Sequence, residues 1–135
     1  FISLMPREEI SIQKDIWNHA TLWQERLLKE FDLEKELDKS LYYYSGGQRK
    51  LIQLMCLLSQ KTELLLLDEP FTHLDERACS FIMDWIEENK RLVGQSVIIV
   101  SHRLEPLNNR SDYHIEISGN TLHYLKEDYY AEENN

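Results

Sequence analysis

The run Leu64-Leu65-Leu66-Leu67, ending on Asp68-Glu69-Pro70, constrains the fold of this 135-residue chain more than any other stretch. It is too short and too uniformly apolar for an amphipathic helix. It reads as a β-strand buried on both faces, the habit of strands in parallel sheets. A second such run, Ser96 to Val100, is apolar and β-branched. Between the two, Glu76 to about Leu92 carries Phe81, Ile82, Trp85 and Ile86 at helical spacing. These segments predict an α/β fold with a mainly parallel core sheet.

Upstream the pattern is helical. Roughly Ile10 to Asp38 reads as two or three helical pieces, with Trp23, Leu27 and Phe31 at four-residue steps and Glu25, Lys29 and Glu30 between them. Ser45-Gly46-Gly47 breaks that pattern and opens a new helix, with Leu51, Leu54, Met55 and Leu58 on one face through about Gln60. Phe1 to Leu4 reads as the end of a short strand, stopped by Pro6. Asp112 to Ile117 and Thr121 to Leu125, joined by Gly119-Asn120, predict a terminal β-hairpin. The acidic residues from Glu127 onward read as a frayed tail.

The net charge of -9 argues against nonspecific nucleic-acid binding, which needs clustered Lys and Arg. It leaves open a nucleotide site, which uses backbone dipoles and metal. Cys56 and Cys79 have no metal-ligand spacing and fall among apolar neighbours in predicted helices, as buried thiols of a reducing compartment do. No apolar stretch approaches the ~20 residues that cross a bilayer, and no signal peptide is evident.

The chemistry gathers at the end of the first apolar strand. Ligands bind at the carboxyl ends of strands in α/β sheets. Asp68 there can hold Mg²⁺, and Glu69 can polarise a water in line with a γ-phosphate. Ser45, Gly46 and Gly47 place a hydroxyl and exposed N–H groups at a helix N-terminus, which suits an anion, although a plain helix cap uses the same residues. Asp75 fits an N-cap for the helix that starts at Glu76.

Taken in order, Tyr44-Ser45-Gly46-Gly47-Gln48-Arg49-Lys50 and Leu64 to Pro70 resemble the signature motif and the Walker B motif of the ABC ATPases. Thr72-His73-Leu74-Asp75 is similar to the D-loop and Ser101-His102-Arg103 to the H-loop. The resemblance implies a P-loop NTPase-like partial domain: a helical subdomain, the later strands of the core sheet and a terminal hairpin. In residue numbers this gives a strand leading to the Q-loop (1–7), the helical subdomain with the signature (8–60), a partial ATPase core (61–126) and a tail (127–135). It implies that Ser45, Gly46, Gly47 and Gln48 contact ATP held by an opposite subunit. It also implies that Glu69 and His102 are catalytic, that Asp68 serves the metal, that Asp75 couples two sites, and that ATP and Mg²⁺ are the cofactors.

Two features depart from that family. Arg7 stands where the Q-loop usually has Gln after Pro; Arg cannot ligate Mg²⁺, so either the correspondence is displaced by a few residues, with Gln13 as substitute, or that site is altered. The sequence also contains no G-x-x-x-x-G-K-[ST] loop. Its four glycines are Gly46, Gly47, Gly94 and Gly119, and none precedes Lys. The expectation is therefore an incomplete nucleotide-binding domain, inactive alone, whose apolar strand edges are exposed where the Walker A strand would sit. The resemblance implies a head-to-tail second domain and a transmembrane permease as partners, the permease docked through Trp17 and Trp23, which would hold the protein at the cytoplasmic face of a membrane. The alternatives are a non-catalytic module acting in trans on a complete partner, and a soluble ABC ATPase not linked to transport.

Overall fold

A computed structural model describes residues 6–12 and 15–125 of the chain. It divides into two compact units, one up to His102 and one from Arg103 onward.

In the first unit the chain runs through α1 (Pro6–Ile12), α2 (Ala20–Glu30), α3 (Gly46–Ser59), β1 (Leu64–Asp68), α4 (Glu76–Val93) and β2 (Ser96–Val100). Of the stretch 1–7 expected to lead to the Q-loop, Pro6 and Arg7 are helical: Pro6 begins α1, where its missing N–H costs nothing because first-turn donors have no helical acceptor. Residues 1–5, and with them the expected strand, lie outside the described residues, as does the acidic tail. Arg7 donates its backbone N–H to the Leu37 carbonyl (3.1 Å) and grips Asp38 with Nε and Nη2 (2.6 and 3.2 Å). That bond holds the Asp38 carboxyl below its usual range and raises the guanidinium.

The aromatic stripe is core. Trp23 stacks on Trp85 (centroids 5.6 Å apart) and meets Phe81 edge-on at 5.4 Å, while Leu27 is fully buried. Trp23 is thus committed to packing and offers no face to a permease. Leu51, Leu54, Met55 and Leu58 of α3 and Phe81, Ile82, Trp85 and Ile86 of α4 are all buried, as are both cysteines. Both helices start and stop as their ends dictate. Asp75 Oδ1 caps α4 by accepting from Ala78 N (2.8 Å), and Gly94 ends it in the left-handed region (φ 66) that a side chain would resist.

β1 and β2 pair in parallel, in register from Leu64↔Ser96 to Asp68↔Val100. At their amino end lies a buried polar network. Asn89 Nδ2 donates to the Leu58 carbonyl (2.9 Å) and to Gln95 Oε1 (3.1 Å), so Asn89 Oδ1 is left as acceptor for His19 Nε2 (2.6 Å). Gln95 Nε2 donates to the Thr62 carbonyl at 2.9 Å. Residues 15–17 run alongside 59–61, with Trp17 N donating to Ser59 O (2.9 Å) and Lys61 N to Asp15 O (3.1 Å).

Burial of the pair on both faces does not hold. Leu65 and Leu67 are buried, but Leu64, Leu66, Ile98 and Val100 are exposed, so one face of the sheet is open. The helices of this unit cover one side only.

The second unit contains the expected hairpin, starting two residues later than predicted: β3 (His114–Ser118) and β4 (Thr121–Leu125), antiparallel, turning at Gly119 (φ 59). Its register pairs Ile115 with Tyr124 and Ile117 with Leu122, all four exposed.

Candidate functional site

The loop that leaves β1 carries the acidic pair. Asp68 ends the strand and is exposed. Glu69 follows with its N–H still in the ladder, donating to Val100 O at 2.7 Å, and then turns into the left-handed region (φ 48). For a non-glycine residue that conformation is uncommon and costs about 1 kcal/mol or more. The turn swings its carboxylate across to the end of β2. There Oε1 accepts from the His102 backbone N–H (3.0 Å) and Oε2 from the Ser101 hydroxyl (3.5 Å). The His102 imidazole is fully exposed, with Nε2 3.7 Å from Glu69 Oε1. Parallel pairing is what brings these segments together, because it sets the carboxyl ends of β1 and β2 side by side.

A second group lies at the start of α3. Ser45, in extended backbone, is its N-cap: Ser45 Oγ accepts from Gln48 N (3.1 Å) and Gln48 Oε1 accepts from Ser45 N (3.0 Å), a complete capping box. The hydroxyl proton of Ser45 takes no part in that box, and the first-turn N–H groups of Gly46 and Gly47 have no helical acceptor. Ser45 therefore caps the helix and still presents donors to an anion. Tyr44, just before it, is buried. Asp75 is exposed at the head of α4, with Oδ1 spent on the cap.

Sequence reasoning missed two contributors. Lys50 Nζ donates to the Glu69 carbonyl at 3.4 Å, and Thr72 Oγ1 donates to the same atom at 3.0 Å. Both stand inside motifs already singled out, but no spacing rule points a Lys five residues after a cap at a strand end. Arg7 belongs to none of this, being held by Asp38, and Gln13 lies outside the described residues.

The donor chemistry suits Mg²⁺. Asp68, Glu69 and Ser101 offer hard oxygens, and among the described residues no group of three or more His, Cys, Asp or Glu forms a cage. Mg²⁺ is commonly held by one or two carboxylates with substrate phosphates and water supplying the rest. No helix among the described residues is long and apolar enough to cross a membrane.

A family model described as "ABC transporter" matches residues 2–72, which include Ser45 to Gln48 and Asp68-Glu69 but stop short of Asp75 and His102. The chain is 36% identical over 83 residues to a protein of Vibrio parahaemolyticus described as an ABC transporter ATP-binding protein. That alignment covers 62% of this chain and 14% of the relative, so the chain spans a small part of the length of the curated relatives it matches. Among solved structures, an ATP-binding subunit of an ABC transporter superposes with a TM-score of 0.69 at 21% identity, covering 93% of this chain and 55% of its own. An ATP-binding cassette solved as a dimer in a post-hydrolysis state, bound to ADP and phosphate, gives 0.71 at 18% identity, covering 94% and 58%. The fold is thus that of the P-loop NTPase-like ABC ATPases, with a helical subdomain.

Proposed function

The chain belongs to the ABC transporter family, as part of its ATP-binding domain, and from that membership we propose that it supplies one face of a composite ATPase site. Use of ATP and Mg²⁺ is typical of this family. In the proposed arrangement Ser45, Gly46, Gly47 and Gln48 receive the γ-phosphate of ATP held by a second nucleotide-binding domain, arranged head to tail. The donors at the start of α3 are oriented for that before any ligand arrives.

At the other site of the pair, on the chain's own strand end, Glu69 orients and polarises the water that attacks the γ-phosphorus of a second ATP. The bond from that phosphorus to the β–γ bridging oxygen breaks, releasing ADP and phosphate. His102 stands beside the transferred group, and Asp68 would hold Mg²⁺. When bound, that ion offsets negative charge on the phosphates. Asp75 and the loop before it form the link between paired sites. A transmembrane permease as further partner would place the assembly at the cytoplasmic face of a membrane.

The observation that carries this reading is the Glu69 carboxylate, held against the His102 amide by a strained backbone. A plain acidic loop would have no need of that strain. The test is turnover by a domain in which a P-loop-bearing segment completes this chain. Glu69→Gln should slow hydrolysis there by roughly 10²–10⁴ and spare ATP binding; full turnover in that variant would remove Glu69 from the role.

A second reading has specific support. Arg7, which the resemblance sets near the Q-loop, is bound to Asp38. That engagement favours a module that serves a complete partner's nucleotide in trans and performs no hydrolysis of its own.

A further inference from the structure

The start of α3 touches the loop after β1 at several points. Lys50 donates to the Glu69 carbonyl. A Cβ added to Gly47 would lie 2.7 Å from the His73 carbonyl oxygen, and one on Gly46 would meet the His73 ring at 3.2 Å. The loop is tense where it is touched, since both Glu69 and His73 (φ 66) are left-handed.

Glu69 is held in that state by its N–H on Val100, its carboxylate on His102 and Ser101, and its carbonyl under Thr72 and Lys50. Among these, Lys50 alone comes from outside the strand ends and their loops, and it alone brings a charge. The contact is long at 3.4 Å, and the ammonium charge adds an attraction to the carbonyl that falls off more slowly with distance than a neutral hydrogen bond. Lys50 is half-buried, so its ammonium competes less with water than a surface lysine does.

We propose that Lys50 is a positioning residue for Glu69. Together with Gly47, seated against His73, it ties the pose of the carboxylate to the helix whose N-terminus faces the partner's nucleotide. The proposal rests on the role given to Glu69 above. It gives the signature helix a second task, within its own chain, and the need for glycine at position 47 is then already present before any nucleotide binds.

The test is amide exchange by NMR on the 135-residue chain without nucleotide. Lys50→Met should speed exchange of the Thr72 and His102 amides about tenfold and leave the α4 core unchanged, and Lys50→Arg should restore both to within about threefold. Gly47→Ala should loosen the same two amides. Unchanged exchange at both in Lys50→Met overturns the proposal. In the completed domain, Lys50→Met should lower kcat about tenfold with KM within about twofold, again rescued by Arg. A loss confined to KM would overturn it as well. If the completed wild-type domain fails to hydrolyse ATP, the proposed function falls, and the exchange result still decides the case of Lys50.

Discussion

At the amino end of β1 and β2, the buried Asn89 and Gln95 exchange neutral hydrogen bonds with each other and with the half-buried Thr62; at the carboxyl end of the same two strands, Glu69 meets Ser101 and His102 beside an exposed Asp68. Both ends are polar, but they spend their polarity differently. Asn89 is fully buried with both Nδ2 protons and its oxygen engaged, the state in which a buried amide stabilises a fold. Glu69 keeps a third of its side chain exposed and holds a strained backbone, and the His102 ring is bonded only weakly, if at all, at 3.7 Å. The contrast separates polar groups that complete a structure from polar groups that the proposed function assigns to a ligand.

Mutations can break that contrast. The largest effect belongs to the carboxyl end. Glu69→Gln in the completed domain should cut turnover by roughly 10²–10⁴, the usual contribution of a general base, while stability stays within about 1 kcal/mol. Steady-state ATPase assays and thermal melts on the same protein check both halves.

At the amino end the effects should reverse. Asn89→Leu leaves the Leu58 carbonyl, Gln95 and His19 without their partner and should cost about 3 kcal/mol, lowering Tm by roughly 10 °C. A melt that moves less than a couple of degrees would show that the network is ornamental.

The two faces of the sheet give a smaller and sharper version. Leu67→Ala should cost about 2–5 kcal/mol, as buried leucines do, and Leu66→Ala, one residue away on the open face, less than about 0.5 kcal/mol. Denaturant titration of the 135-residue chain resolves the two; equal costs would mean that both faces are covered in solution.

The smallest effect concerns acid. Because Arg7 lowers the Asp38 carboxyl, the folded chain binds that proton less readily than the unfolded chain. The pair's contribution is therefore present above the usual carboxylate range and is lost as pH falls through the lowered value, below about pH 4. Exchange at the Arg7 amide, which bonds Leu37, should quicken over that window, and Asp38→Asn should remove the dependence.

The sequence made the carboxyl end legible and left the amino end dark. Asp68-Glu69 after an apolar run, a Ser-Gly-Gly cap and a His one strand later are local patterns, and each fell where its neighbours required. His19, Asn89 and Gln95 are far apart or at unremarkable places in the chain, and only folding makes them partners. The helix that Pro6 begins had no clear signal, because proline both stops strands and starts helices and local sequence does not choose between them. Leu64 and Leu66 were misread for another reason. Apolarity reports that a surface prefers cover; it does not report which part of a protein supplies it. The left-handed Glu69 had no signal at all, since glutamate does not favour that region as Gly and Asn do.

The account stands on the chain's being one face of a site that needs a phosphate-binding loop from elsewhere. Calorimetric titration of MgATP into the purified 135-residue chain, at protein concentrations above about 10 μM so that affinities near that value register, tests this directly. The predicted result is no saturable heat from the chain alone and clear heat once a P-loop-bearing domain is added. Saturable MgATP binding by the chain on its own would contradict the account.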